Sequence, residues 1–168
     1  MKLKEIDKSR YSRHLKIVFG GIVVALLFLT LITSSLLIQV FSTPEAPHFW
    51  FNLGGVAVAA IIVIFVLSKL RRHPFLFEVV YVWDLKQILN RIYRKQRKIE
   101  AKLEENDLDA MIIMNFQYKG SKQLYELDDN TITIENLVLK IKALEGRMQE
   151  VRLSLSTDSF DPAMLEKY

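Results

Sequence analysis

Residues 17–41 read IVFGGIVVALLFLTLITSSLLIQVF, and residues 49–68 read FWFNLGGVAVAAIIVIFVLS. Neither stretch holds a charged side chain. A helix rises ~1.5 Å per residue, so ~20 apolar residues cross a ~30 Å hydrocarbon core. Both stretches meet that length, and the first is long enough to tilt. A signal-peptide core is shorter, ~7–15 residues, and ends in small residues. Here the first run ends Leu37-Ile38-Gln39-Val40-Phe41, which predicts a retained helix rather than a cleaved leader.

Working outward, the connection 42–48 carries Pro44, Glu45 and Pro47 but no Lys or Arg. Both outer flanks are basic. Residues 1–16 hold six Lys/Arg against two acids, and Lys69, Arg71 and Arg72 follow the second run. The positive-inside rule then puts both termini in the cytoplasm and residues 42–48 on the far side. Phe49, Trp50 and Phe51 fall where an outer aromatic belt belongs. Membrane helices associate through small residues that allow close approach. Gly21 with Ala25, and Gly55 with Ala59, have that spacing and are the expected packing positions. Neither run offers an ionisable relay for ion transport.

From residue 69 onward glycine and proline are scarce: Pro74 and Pro162, Gly120 and Gly146. Such a stretch reads as long helices. Pro74 biases His73 away from helix and suits a new first turn, so a break followed by a helix is predicted there. Leu85, Leu89, Ile92, Gln96, Ile99 and Leu103 recur at 4, 3, 4, 3, 4, a heptad seam with one polar position. Leu137, Ile141, Leu144, Met148, Val151 and Leu155 repeat the pattern. Between them, Leu108, Met111, Ile112 and Phe116 mark a middle helix, with Asn106 as its expected N-cap and a bend or break at Gly120. Thr131 or Thr133 would cap the last helix.

The predicted fold is all-α. It has a basic N-terminal segment (1–16), a transmembrane hairpin (17–41 and 49–68, joined by 42–48) and a cytoplasmic helical domain (69–155). That domain is a helical hairpin or three-helix bundle in which the two seams pack together. The tail, 156–168, is expected to be loosely ordered.

These residues resemble a known family. His73-Pro74-Phe75, Glu78-Val79-Val80-Tyr81-Val82-Trp83, and Leu89-Asn90-Arg91-Ile92-Tyr93-Arg94-Lys95 with Arg97-Lys98-Ile99 carry the likeness. So do Asn115-Phe116-Gln117-Tyr118, Gly120-Ser121, Leu127-Asp128-Asp129-Asn130-Thr131-Ile132-Thr133, and the opening Met1-Lys2-Leu3 with Glu5-Ile6-Asp7. The family is the bacterial domain of unknown function 3087. The resemblance implies a two-pass inner-membrane protein of Gram-negative bacteria and no assigned activity.

Chemistry-bearing motifs are few. There is no Cys, so a disulfide framework, a thiolate zinc site and a cysteine nucleophile are excluded. His14, His48 and His73 lack zinc-helix spacing. Acids at Glu104, Glu105, Asp107, Asp109, Asp128 and Asp129 sit at expected helix ends, where the helix dipole favours them. No catalytic, cofactor-binding or metal-binding residue is expected, and neither is an enzyme. The candidate face is Arg91, Arg94, Lys95, Lys98 and Lys102, spaced to share one side of a helix. Anionic lipid headgroups or a partner would meet it. Nucleic acid is not expected, because 103–168 holds thirteen acids against seven Lys/Arg. The expected function is a membrane-anchored adaptor or regulatory subunit, working with a protein partner or as a homo-oligomer. The alternative is an envelope-organising protein acting through lipid contact and self-association.

Overall fold

A computed structural model describes residues 2–43, 47–130 and 134–168. Among these the chain is all-α, with no strand. The helices are α1 (Lys8–Phe41), α2 (Phe49–Leu70), α3 (Phe77–Glu104), α4 (Leu108–Leu127) and α5 (Ile134–Glu150). Three 3-10 turns, Pro74–Leu76, Thr157–Ser159 and Pro162–Lys167, complete the secondary structure. Pro44 and Glu45 of the connection, and the caps expected at Thr131 or Thr133, lie outside the described residues. The chain divides into two compact units, Ser9–Val80 and Met1–Lys8 with Tyr81–Tyr168.

In the Ser9–Val80 unit, α1 and α2 are each long and apolar enough to cross a membrane. Most of their large side chains are exposed, including Phe19, Phe28, Leu31, Trp50, Ile61 and Phe65. A contiguous apolar surface of this kind calls for an apolar environment. The two helices meet where Thr33 Oγ1 donates to Gly55 O at 2.8 Å and Ser34 Oγ reaches Asn52 O at 3.4 Å. Ser34, Gly55 and Ala59 are buried there. The expected pairing through Gly21 and Ala25 is corrected. Nothing lies within 4 Å of a Cβ placed on Gly21, and Gly55 is opposed by Ser34 instead. Gly55 and Ser34 both lie near the ends that the short connection joins. Gly21 lies several turns farther from that connection along α1, so its spacing matched that of Gly55 but its register did not.

The chain breaks as Pro74 requires. His73 is extended (ψ 135°), and its Nδ1 accepts from Phe75 N–H at 3.2 Å before α3 starts. At the edge of the same unit the His14 ring lies 4.2 Å from that of Phe75. His14 Nδ1 and Arg10 Nη2 stand 3.2 and 3.1 Å from the two Glu78 carboxylate oxygens.

In the second unit the centre is α4. Ala110, Met111, Ile113, Met114 and Phe116 are fully covered. The single face expected for this helix is therefore too narrow, and Leu108, assigned to it, is half exposed. Leu85, Leu89, Ile92, Ile99 and Leu103 of α3 are buried as one seam. Its polar position, Gln96, is partly covered; its Oε1 accepts from Gln117 Nε2 at 3.4 Å, and its Nε2 donates to Glu100 at 2.6 Å. The helix does not break at Gly120. A Cβ there would come within 3.3 Å of both Leu85 and Leu89, so glycine serves close approach of α4 to α3. Asn106 is not the cap. It takes φ 60°, and Asp107 caps α4 by accepting from Ala110 N–H at 2.9 Å.

The second seam is shorter than its spacing suggests. α5 ends at Glu150, and Arg152 takes φ 55°. Val151 and Leu155 thus fall outside the helix, and α5 packs on α4 through Leu144 and Met148. The tail is corrected as well. Phe160 stacks on Phe116 at 4.1 Å, Leu165 is 1% exposed, and both 3-10 turns touch α4. Their caps are local: Ser156 Oγ accepts from Asp158 N–H and Asp161 Oδ1 from Ala163 N–H. The N-terminal segment is also held, since Lys4 N–H donates to Tyr81 OH at 2.8 Å and Gln123 Nε2 donates to Lys4 O at 2.5 Å.

Candidate interaction face

Between Asp84 and Glu100 the sequence holds six Lys/Arg and no acid. A helix turns ~100° per residue, so a buried seam on one side puts these cations on the flanks and back. The five candidates divide. Arg91, Arg94 and Lys98 are exposed on the side away from Ile92 and Ile99. Lys95 is taken by the tail, donating to Leu165 O at 2.6 Å. Lys102 pairs with Glu105 at 2.6 Å. Arg97, which spacing left off the stripe, is exposed on the same outer side. The outward set is therefore Arg91, Arg94, Arg97 and Lys98, and none of the four has an ion pair among the described residues. Trp83, 62% exposed, lies at the N-terminal end of the same face, and Tyr93, 71% exposed, flanks it.

Lys95 could not be assigned from spacing, because its partner is a backbone oxygen seventy residues away in a segment without a periodic pattern. Arg97 could have been found by measuring angle from the buried seam rather than from its basic neighbours.

The acids act at helix ends and junctions. Asp107 is held below the ordinary carboxylate range. The Ala110 hydrogen bond is the largest cause, burial opposes it, and Tyr168 and Lys167 reinforce it. Lys167 also meets Asp109 at 2.8 Å. Asp128 pairs with Lys86 at 2.9 Å, and Asp129 pairs with Lys8. Among the described residues no group of three or more His, Asp or Glu side chains is placed to hold a metal.

The spacing of the histidines gave His14 no role, yet it is buried against Glu78. Burial alone would raise the Glu78 carboxyl. A backbone hydrogen bond, the His14 hydrogen bond and the Arg10 and His14 charges outweigh it, and the group ends below its ordinary value. No local signal links residues 14 and 78. A second missed feature is Gln117, buried with its Oε1 unpartnered among the described residues.

No curated protein and no solved structure matches the chain. A family model does, over residues 1–165, and it covers both apolar helices, the outer face of α3 and most of the tail. The chain belongs to the family described as Protein of unknown function (DUF3087).

Proposed function

We propose that this protein is a membrane-anchored adaptor or regulatory subunit. In this reading α1 and α2 form a hairpin through a bacterial inner membrane, with both termini in the cytoplasm. α3, α4 and α5 form a three-helix bundle that presents the outer face of α3 to an acidic protein partner. The observation that carries the reading is Arg91, Arg94, Arg97 and Lys98, exposed together on one rigid helix with no acid between Asp84 and Glu100. Charge concentrated on one side steers association and selects the complementary partner.

The test is affinity purification of the full-length protein from its own membranes in mild detergent, beside a variant with all four cations replaced by Gln. A stoichiometric acidic protein that accompanies the wild type, and is lost in the variant at unchanged helicity, is the expected result. Equal recovery with both forms would overturn the assignment to this face.

Exposed Trp83 on the same face favours a second reading, contact with anionic lipid beneath the inner leaflet. Cations near a charged bilayer contribute ~1 kcal/mol each. Here the four-Gln variant would lose no protein partner. Instead, in a Trp50→Phe background that leaves Trp83 as the single indole, its fluorescence in vesicles would cease to depend on anionic lipid content.

A further inference from the structure

In the Ser9–Val80 unit, α1 and α2 touch at Ser34 and Gly55 and part toward the ends that lie nearer Pro74. A cavity of about 420 Å³ opens between them, with Gly21, Ala25 and Leu29 on one wall and Val63 and Leu67 on the other. Phe75 and His73 close its end. That volume is in the range of small-molecule sites, ~300–1,000 Å³. The small side chains at Gly21 and Ala25 create the space, since a Cβ on Gly21 meets nothing within 4 Å.

The walls are apolar, and an apolar cavity does not retain water. Lys69, Arg71 and Arg72 are exposed at the closed end, and no acid occurs between Phe65 and Phe77. The occupant must therefore be apolar along its length and anionic at one end. From Val18 to Leu29 the groove runs ~16 Å along α1, with the basic residues at one end.

We infer that the cleft between α1 and α2 is a binding site for one acyl chain of an anionic phospholipid, whose headgroup is met by Lys69 and Arg72. The site rests on the reading of α1 and α2 as membrane helices. It is separate from the outer face of α3.

The experiment uses the full-length protein, delipidated in mild detergent and titrated with phosphatidylglycerol, phosphatidylcholine or oleate, with bound species counted by native mass spectrometry. One phosphatidylglycerol per chain is expected, favoured over phosphatidylcholine about thirty-fold for two surface charges. Replacing both Lys69 and Arg72 by Gln should abolish the preference while leaving a lipid bound. Gly21→Leu with Ala25→Leu fills the cleft and should remove both phospholipids at unchanged helicity. Wild-type binding by the filled variant, or no headgroup preference in the wild type, would overturn the site. Oleate bound as tightly as phosphatidylglycerol would overturn the commitment to a phospholipid. Carbonate extraction of native membranes separates the two levels. A chain released by carbonate ends the membrane reading. A chain that stays in the membrane fraction without a lipid preference ends only the site.

Discussion

Gly55 shows how much one position can decide. A Cβ there would sit 2.7 Å from the Ser34 backbone nitrogen and 2.8 Å from its Cα, and neither can move aside as a flexible side chain would. Gly55→Val should destabilise the α1–α2 contact by about 1–3 kcal/mol, the usual range for overpacking. Gly21→Ala should be neutral, because its Cβ meets nothing. Thermal melting of both variants in detergent checks the contrast, and equal losses would refute the assigned contact. The same scale holds the titrating groups. Glu78 and Asp107 are both depressed below their ordinary values of 4.5 and 3.8. Carboxylates lowered in the folded state contribute stability that is present above those ordinary values and is lost as pH falls through the folded ones. The contribution of these two groups should therefore be constant from neutral pH to about 5 and be lost below about 4.5. Glu78→Gln and Asp107→Asn together should flatten the acid limb in a denaturation series; an unchanged limb would remove these two groups from the account. Small residues at helical spacing were legible in the sequence, but which of them meet was not. Register depends on where the connection lies, and spacing along one helix carries no such information.

At the scale of elements, α3 was the most legible, because its seam is buried at every apolar position and its start is fixed by His73 and Pro74. α5 was less so. Val151 and Leu155 continue the heptad spacing, but Arg152 at φ 55° has already turned the chain. A periodic pattern can outlast the helix that it marks, since the same apolar side chains serve whatever backbone follows. The tail was illegible for the converse reason. Its anchors, Phe160 and Leu165, follow no period and are fixed only by the pockets that α4 and α3 provide. The tail also decides which cations face outward, because Lys95 donates to Leu165 O. Phe160→Ala removes the ring stacked on Phe116 and should cost about 3–5 kcal/mol if the tail stays in place. If the tail detaches instead, the loss is smaller and Lys95 is released to the surface. Urea unfolding gives the first quantity. The reactivity of Lys95 toward an amine-modifying reagent, relative to Lys98 in the same sample, reports the second. No change in either would show that the tail does not bind through Phe160.

At the scale of the whole molecule, the apolar character of α1 and α2 was plain from length and charge alone, while orientation rests on a charge asymmetry. Within residues 1–72, Lys and Arg are confined to the flanks 1–16 and 69–72, and residues 42–48 carry none. Translocating these charges would be costly, which is the physical content of the positive-inside rule. The absence of cysteine makes the consequence measurable, because a single introduced thiol reports one position unambiguously. His48→Cys should react with an impermeant maleimide added to intact cells. Ser154→Cys, exposed beyond α5, should react only after the membrane is opened. The reverse pattern would invert the proposed topology and move the outer face of α3 away from every cytoplasmic partner. Reaction of both thiols in intact cells would mean that the chain does not cross the membrane as a hairpin. The expected pattern would place Arg91, Arg94, Arg97 and Lys98 on the cytoplasmic side, where an acidic protein can compete with anionic headgroups for the same four charges. Raising salt then weakens both contacts, but only the protein contact depends on the shape of the partner. A charge-preserving change of Arg94 and Arg97 to Lys should therefore weaken a protein complex that uses paired guanidinium hydrogen bonds, and should leave lipid attraction nearly unchanged.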